Sequence, residues 1–308
     1  MKAVSIAQHG GPEVLVYGDF PDPKAGPGQV VVDIHAASIN GADWKVRAGG
    51  SYGTLTTFPY ILGRDFSGVV STVGEGVTDF KSGDAVFGVL DRDQEGTYCE
   101  KLATKASIIA KKPDNVSHVD AAALALIGLT ALISVEDTLK LQKGETILIQ
   151  GGAGGVAGFA IEVAKHIGAR VITTASAANH AYVKKLGADQ VIDYRAQDVA
   201  KVLSGIDCVF DTVGGDVTQK SFAVLKPGGR AAFIASGAKA PPSPRADVSS
   251  LRPAVGRSRA HLDRIMHLLS VGAVHVPEVK LYDLKQAQEA HRVSEGRHLR
   301  GKLVFKIR

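Results

Sequence analysis

Apolar residues recur with two different periods along the chain, and the change of period divides it into parts. In residues 1–115, apolar and polar positions alternate over short stretches, at 29–35, 68–73 and 85–87, and glycine and proline punctuate them. Such alternation is typical of half-buried strands. The first part of the chain is therefore predicted to be a β-rich domain without a long helix.

The middle of the chain alternates buried strands with helices. Short apolar runs occupy residues 147–150, 171–172, 190–193, 207–211 and 231–234, and helical periodicity appears at 160–167, 181–186 and 217–225. A strand-helix alternation of this kind predicts an α/β fold with a doubly wound parallel sheet.

One turn in this middle part carries candidate chemistry. Residues 147–158 have the sequence ILIQGGAGGVAG, in which an apolar strand leads through glycines into an amphipathic helix. Glycines let the backbone approach phosphates closely, and the N–H groups of a helix start attract negative charge. We expect the pyrophosphate of a dinucleotide to bind at Gly152, Ala153, Gly154, Gly155 and Val156. The alternative is an ordinary α/β core whose glycines serve tight packing.

The end of the chain has a pattern of its own. After a proline-rich stretch at 239–245 come a strand candidate at 248–252, helices at 258–269 and 284–293, and a last strand at 302–307. That strand is predicted to return to the first domain. The expected division is therefore one domain made of residues 1–115 and 270–308, and a second made of residues 116–269.

Composition is ordinary for a globular protein, with 45% hydrophobic and 22% charged residues. Gly128, Thr130 and Ser134 interrupt the longest apolar run, so we expect it not to span a bilayer. The amino terminus is typical of a strand, which favours a cytoplasmic protein. Two cysteines, Cys99 and Cys208, exclude a disulfide framework and a four-cysteine zinc lobe.

The net charge of +5 is consistent with an anionic ligand such as a phosphorylated cofactor, or with a solvated surface. Four arginines at positions 252, 257, 259 and 264 lie close together in the sequence. No aromatic interleaving or recognition motif accompanies them, so nucleic-acid binding is not expected.

Seven motifs, taken together and in order, resemble those of the medium-chain dehydrogenase/reductase superfamily, and within it the zinc-free quinone oxidoreductases of the zeta-crystallin type. They lie at residues 36–45, 59–70, 83–88, 147–158, 186–189, 211–215 and 301–304. The resemblance implies a GroES-like β-barrel catalytic domain beside a Rossmann nucleotide-binding domain. It covers nearly the whole chain.

The resemblance also indicates whether the chain has the ligands for a catalytic zinc ion. Where zinc-bearing relatives place a cysteine this chain has Asn40, and where they place a histidine it has Arg64. An arginine stays protonated and has no lone pair to give a metal. No metal is expected, and the hydride acceptor must be activated through conjugation, as in a quinone or an α,β-unsaturated carbonyl.

Four residues are candidates for the catalytic site: Asn40, Tyr52, Lys45 and Arg64. By resemblance, Asn40 and Tyr52 face the nicotinamide, where an amide or a phenol can stabilise a developing oxyanion. Alternatives stay open for three of them: Asn40 caps a turn, Tyr52 is a partly exposed loop aromatic, and Arg64 pairs with Asp43 or Asp65. The proton can also come from water.

The second strand of the nucleotide unit ends without the acid that usually holds the two ribose hydroxyls of NAD, which favours NADPH. By resemblance, Ser176, Asn179, His180 and Tyr194 surround the adenosine phosphate. Relatives often carry a lysine or arginine at 179–180, so a more distant cation, Arg300 or Lys302, is expected to help. Further residues are expected near the nicotinamide half or at the carboxyl edge of the sheet: Thr130, Thr212, Val213, Gly214 and Ser236.

The resulting hypothesis is a zinc-independent, NADPH-dependent reductase of quinones or of conjugated enones and enals. Two alternatives remain, an enoyl-thioester reductase and a non-catalytic NADPH-binding protein. By resemblance, the strand candidate at 248–252 is an edge that pairs in a homodimer.

Overall fold

The computed structural model describes residues 1–50, 57–91, 94, 96–297 and 299–308 of the chain. The protein is divided into two compact units. Unit 1 consists of Met1–Leu126, Gly256–His267 and Glu278–Arg308, and unit 2 consists of Ile127–Val255 and Leu268–Pro277.

These units differ from the expected domain boundaries in three segments. Residues 116–126 and 256–267 lie in unit 1, and residues 270–277 lie in unit 2. Two of the divisions fall inside helices, after residues 126 and 267. A hydrophobic period marks a helix as a whole and contains no signal for a division within it.

The described residues form strands of two to eleven residues. The strands are β1 Lys2–Ile6, β2 Val16–Asp19, β3 Gln29–Ile39, β4 Tyr60–Ile61, β5 Asp65–Val73, β6 Ala85–Val89, β7 Lys101–Lys105, β8 Ile109–Lys111, β9 Thr146–Gln150, β10 Arg170–Ala175, β11 Gln190–Asp193, β12 Ile206–Asp211, β13 Leu225–Phe233, β14 Ser249–Leu251, β15 Val279–Tyr282 and β16 Lys302–Lys306.

Most of the longer helices belong to the second half of the chain. The helices are α1 Gly41–Arg47, α2 His118–Leu132, α3 Gly155–Ile167, α4 His180–Lys185, α5 Val199–Val202, α6 Val217–Ala223, α7 Arg259–Ser270 and α8 Ala287–Glu295.

Unit 1 is built on two sheets. A three-stranded sheet has the order β2-β1-β4, and a seven-stranded sheet has the order β15-β16-β3-β5-β6-β8, with β7 also paired to β3. The last strand, β16, runs antiparallel to β3 and places Leu303 opposite Ile39. The prediction that the end of the chain returns to the first part is therefore confirmed.

Unit 2 holds one parallel sheet of six strands in the order β11-β10-β9-β12-β13-β14. The strand order reverses beside β9, because β10 and β11 extend to one side of it and β12 to β14 extend to the other. This is the order of a doubly wound nucleotide-binding sheet, in which ligands collect at the carboxyl ends of the strands near the reversal. The predicted doubly wound parallel sheet is confirmed.

Helix α2 continues into a π-helical turn, Ile133–Thr138, so that one helical stretch covers His118–Thr138. By length and composition this stretch could cross a membrane, so the prediction that its polar residues make it too mixed was wrong. Its most apolar 18 residues are 78% buried inside the protein, and Ala121 and Leu124 are fully buried. Core helices of globular proteins have the same length and composition, and this burial favours that interpretation.

Candidate functional site

The glycine turn of unit 2 lies where the strand order reverses. β9 ends at Gln150, and α3 begins at Gly155 with Gly154 as its N-cap. The first N–H groups of an α-helix have no carbonyl partner within the helix, so those of Gly155 and Val156 can donate outward. Together with the positive end of a helix of 13 residues, they form a site suited to a phosphate.

Gly151 and Gly152 hold this turn against β10. Gly151 has a left-handed φ of 79°, and its N–H donates to Thr174 Oγ1 at 3.0 Å. A Cβ atom on Gly152 would lie 2.2 Å from Thr173 Oγ1, a hydroxyl that already donates to Ile149 O at 2.6 Å. Tight packing therefore explains why residue 152 is a glycine. The free N–H groups at the start of α3 explain how the turn can bind an anion.

A buried aspartate shapes the loop after the neighbouring strand. β12 is parallel to β9, and Asp211 lies opposite Gln150. The Asp211 carboxylate accepts from the N–H groups of Val213 at 2.8 Å and Gly214 at 2.9 Å, and Thr212 Oγ1 donates to Gln150 O at 2.7 Å. The structure thus places the predicted cofactor residues 212–214 beside the glycine turn.

The carboxyl ends of β10 and β11 lie side by side, with Ala175 opposite Asp193. Ser176 and Tyr194 are the residues that directly follow these two strands. Asn179 Nδ2 donates to Ser176 Oγ at 3.3 Å, and Tyr194 is 50% exposed. The end of β10 therefore presents a hydroxyl and an amide, with no carboxylate among residues 174–180.

Three other residues were predicted to bind the cofactor, namely His180, Thr130 and Ser236, and their surroundings differ. His180 begins α4, and its buried Nε2 has no hydrogen-bond partner in the described part of the chain. Thr130 is 8% exposed within α2, and its carbonyl accepts from Ser134 Oγ at 2.6 Å. Ser236 donates to Lys239 O at 2.9 Å, so this hydroxyl is engaged within its own loop.

In unit 1, the amide of Asn40 lies between two buried charges. Its Oδ1 accepts from Lys302 Nζ at 2.8 Å, and its Nδ2 donates to Asp65 Oδ1 at 2.9 Å and to Ser38 O at 3.4 Å. Both hydrogens of the amide are therefore used inside unit 1. The expected donor role toward a substrate oxygen is not available in this arrangement, and the structure shows the alternative, a residue at the N-cap of α1.

Burial opposes the charge on both partners of Asn40. It raises the pKa of Asp65, although Lys302 and the donors Ser38 and Asn40 act in the opposite direction. Burial likewise lowers the pKa of Lys302, and the negative charges of Asp65 and Asp43 oppose that shift. Each charge thus depends on the other and on the amide between them, because an unpaired buried charge is costly.

Asp43 is the centre of a second buried group. Its Oδ2 accepts from Tyr98 OH at 2.7 Å and from the Asn40 N–H at 2.8 Å. Arg64 Nε lies 3.7 Å from Asp43 Oδ1, and the arginine is 8% exposed. The structure therefore shows the alternative interpretation of Arg64, an ion pair with a structural carboxylate.

The two remaining predicted catalytic residues are Tyr52 and Lys45. Tyr52 lies outside the described residues. Lys45 is half-buried in α1, and its Nζ lies 5.6 Å from the ring centroid of Trp44. Burial, aided by the nearby Arg297 guanidinium, lowers the pKa of Lys45. A lysine with a lowered pKa releases its proton more readily, which suits a proton donor.

Lys302 cannot be the cation that holds a cofactor phosphate, and that prediction was wrong. The side chain points into unit 1, is 4% exposed, and gives its ammonium hydrogens to Asn40 Oδ1 and Ile39 O. Arg300, two residues earlier, is at the surface and pairs with Glu278 at 2.6 Å. Its role toward a phosphate stays a prediction, and Glu278 already balances its charge.

The arginines of residues 252–264 act within the fold. Arg252 Nη1 donates to Phe233 O at 2.9 Å in unit 2, and Arg259 Nε donates to Ile109 O at 2.9 Å in unit 1. Guanidinium groups held by backbone carbonyls fasten loops to their own unit.

Tyr98 was missed in the sequence, and Asp65 was considered there only as a partner of Arg64. Asp65 opens β5, whose sequence is DFSGVVSTV, and a buried acid of this kind requires a polar partner. Tyr98 follows the loop after β6 and shows no pattern of its own. Within the described residues, no group of three His, Cys, Asp or Glu side chains is arranged to hold a metal ion.

Two family descriptions match the chain. That of the alcohol dehydrogenase GroES-like domain matches residues 26–115, and that of the zinc-binding dehydrogenases matches residues 186–305. The first match confirms the predicted GroES-like domain.

Three proteins show how far the similarity extends. A 2-haloacrylate reductase of Burkholderia sp is 32% identical over 99% of this chain and 98% of its own length. The quinone oxidoreductase of Coxiella burnetii has a TM-score of 0.91 at 34% identity and covers 100% of this chain and 99% of its own. The Escherichia coli quinone oxidoreductase, solved in complex with NADPH, has a TM-score of 0.91 at 29% identity and covers 99% of this chain and 100% of its own.

Proposed function

The chain belongs to the medium-chain dehydrogenase/reductase superfamily, in its quinone oxidoreductase-like family, and we propose that it transfers hydride from NADPH to quinones or α,β-unsaturated carbonyls without zinc. The observation that carries the proposal is the glycine turn between β9 and α3, placed where the sheet order reverses. An NADPH-bound relative of the same fold supports it.

The residues of unit 2 fit NADPH. The N–H groups of Gly155 and Val156 would hold the pyrophosphate, and the loop at 212–214 would lie beside the nicotinamide ribose. The end of β10 has Ser176 and Asn179 in place of an acid, so no carboxylate of residues 174–180 repels a 2′-phosphate. When bound, NADPH supplies a hydride to a carbon of the acceptor.

The donor set of unit 1 does not fit zinc. The Asn40 amide is occupied by Lys302 and Asp65, and Arg64, which has no lone pair, is held near Asp43. Acceptors that need no Lewis acid are therefore favoured, namely carbonyls conjugated with a double bond. The names of the relatives, a haloacrylate reductase and quinone oxidoreductases, agree with this class.

Hydride addition at carbon leaves negative charge on the acceptor oxygen, and a hydrogen-bond donor must then stabilise that charge. Among the described residues predicted for this role, Lys45 has the chemistry that suits it, because burial lowers its pKa. Asn40 and Asp65 act as positioning residues that hold the start of α1, on which Lys45 lies. Tyr52 remains the other predicted donor.

The test is a panel of acceptors with NADPH or NADH, followed by the loss of nicotinamide absorbance. The panel contains 1,4-benzoquinone, 9,10-phenanthrenequinone, acrolein, 2-hexenal and crotonyl-CoA. Turnover of the free quinones or enals with NADPH supports the proposal. Turnover of crotonyl-CoA alone would point to an enoyl-thioester reductase, and tight NADPH binding without any turnover would point to a binding protein. Chelator treatment must leave the rate unchanged.

We also propose a homodimer. β14 is the outermost strand of its sheet, paired to β13 on one side, and an edge strand offers its other side to a second copy. Ser250 Oγ donates to Pro241 O, so the proline-rich stretch touches this edge from within the same chain. Light scattering gives the molar mass of the wild type and of Ser249→Pro and so tests the pairing. If β14 forms the interface, the wild type should be a dimer and the variant a monomer.

A cytoplasmic location is part of the same proposal. Cys99 and Cys208 are both free and buried, and burial raises the pKa of each thiol to about 12. Neither cysteine is poised for a disulfide, as is typical of a protein kept in a reducing compartment. Fractionation of the cells that make the protein tests the location, and recovery in a membrane pellet would contradict it.

A further inference from the structure

An exposed cation lies at the edge of unit 2 where β10 and β11 end. Tyr194 and Arg195 follow β11, and the guanidinium carbon of Arg195 lies 5.7 Å from the ring centroid of Tyr194. Both side chains are exposed. Stacking on an aromatic ring orients a guanidinium without using its hydrogens.

Within the described residues, Arg195 makes no ion pair at 4.0 Å or less. The acids close to it in sequence are otherwise engaged. Asp193 Oδ1 accepts from the Arg195 backbone N–H at 3.0 Å, and Asp198 Oδ1 lies 3.2 Å from Lys220 Nζ. The guanidinium is therefore oriented, charged and available to an anion.

The register of the sheet brings this cation to the end of β10. Ala175 pairs with Asp193, so Ser176 and Tyr194 are neighbours at the carboxyl edge, with Arg195 one residue further. The segments 176–180 and 194–197 contain one permanently charged cation between them, Arg195. On the β10 side, Asn179 supplies an amide, which donates to Ser176 Oγ at 3.3 Å.

We propose that Arg195, stacked on Tyr194, is the cation that binds the 2′-phosphate of NADPH and so sets the preference of the enzyme for this cofactor. The inference rests on the proposed function for its cofactor. It replaces Lys302, whose ammonium is buried elsewhere. The guanidinium plane matches a phosphate with two parallel hydrogen bonds, and Ser176 completes the set from β10.

The experiment measures binding of two nucleotide pairs that differ in the 2′-phosphate, by calorimetry and by cofactor fluorescence. The pairs are 2′,5′-ADP against 5′-AMP, and NADPH against NADH. The variants are Arg195→Ala and Arg195→Lys, and the control is Lys201→Ala, which removes an exposed positive charge from α5. No turnover is needed for the readout.

We expect Arg195→Ala to raise the Kd of NADPH and of 2′,5′-ADP about tenfold or more, as for loss of a charge-assisted hydrogen bond. In Arg195→Ala, the Kd values of NADH and 5′-AMP should stay within about twofold of the wild-type values. The Kd of NADPH for Arg195→Lys should fall between those of the wild type and Arg195→Ala, and the Kd values of Lys201→Ala should match those of the wild type. High salt should weaken 2′,5′-ADP binding more in the wild type than in Arg195→Ala.

Two outcomes separate this inference from the proposed function. If the wild type prefers NADPH and reduces enals, and Arg195→Ala keeps that preference, the inference is overturned and the function stands. If Arg195→Ala abolishes the preference for 2′,5′-ADP but the wild type reduces no acceptor of the panel, the inference stands and the function fails. An equal loss of NADH and NADPH binding in Arg195→Ala would also overturn the inference.

Discussion

Lys302 Nζ lies 2.8 Å from Asn40 Oδ1 inside unit 1, and the other end of the same amide donates to Asp65. The two residues are 262 positions apart in the sequence, and the pairing of β16 with β3 brings them together. Strand β16, near the end of the chain, is thereby bound to the N-cap residue of α1. Lys302, which was expected to bind the cofactor, instead stabilises the fold of unit 1.

Replacing Lys302 tests this relationship directly. Lys302→Met leaves Asp65 as a buried carboxylate without its compensating charge, so the free energy of unfolding should fall by about 3 kcal/mol. Urea denaturation measures it. Lys306→Met, an exposed position on the same strand, should change the free energy by less than about 0.5 kcal/mol. Similar losses in both variants would show that the buried bond to Asn40 contributes little.

Gly152→Ala should damage the glycine turn. The new Cβ atom would meet Thr173 Oγ1 at 2.2 Å, and that hydroxyl is fixed to Ile149 O, so the turn must move away from β10. We expect an NADPH Kd at least about tenfold higher together with a lower Tm, since both the phosphate donors and the packing shift. Gly18→Ala, where a Cβ has nothing within 4 Å, is the matched control. An unchanged Kd for Gly152→Ala would mean that the turn does not contact the cofactor.

Ser176→Asp restores the acid that this chain lacks after β10. A carboxylate there repels a 2′-phosphate and can accept from the ribose hydroxyls of NADH. The Kd of NADPH should therefore rise about tenfold and that of NADH should fall, as followed by fluorescence titration. Ser176→Asn introduces a side chain of the same size as aspartate but without its charge. This variant should keep the wild-type order of the NADPH and NADH affinities. A parallel change in both cofactors would place Ser176 away from the phosphate.

His118 should make unit 1 sensitive to acid. Its Nδ1 lies 2.8 Å from Ser67 Oγ, its ring stacks 4.3 Å from that of His35, and burial, with the charges of His35 and Lys112, lowers its pKa from 6.5 to about 4. The unfolded chain then binds the proton more tightly than the folded chain. The stability from neutral His118 is complete above pH 6.5 and is lost as the pH falls toward 4.

The measurement is Tm against pH for the wild type and His118→Gln. Glutamine cannot take up the proton, so the variant should lose less Tm than the wild type between pH 6.5 and 4. His166→Gln, at an exposed position of α3, should follow the wild-type profile. Identical slopes for the wild type and His118→Gln would remove His118 from the acid response.

Much of the architecture was predictable because it depends on local patterns. The alternation around residues 29–35 and the apolar run at 147–150 mark strands by their period, and glycines after Gln150 mark a sharp turn before a helix. The absence of an acid after Ala175 is likewise visible in the sequence. These features require only knowledge of neighbouring residues, so the sequence by itself determined the nucleotide-binding sheet, the glycine turn and the favoured cofactor.

The partners of the polar side chains were decided by the tertiary structure. In the sequence Lys302 resembles a surface lysine, but the pairing of β16 with β3 brings its ammonium to Asn40. Arg195 becomes a candidate phosphate ligand through the register that sets Asp193 against Ala175. Hydrogen bonds act over about 3 Å, and residues far apart in sequence come within that range only when strands pair. A period along the chain contains no information about which strand will be the neighbour.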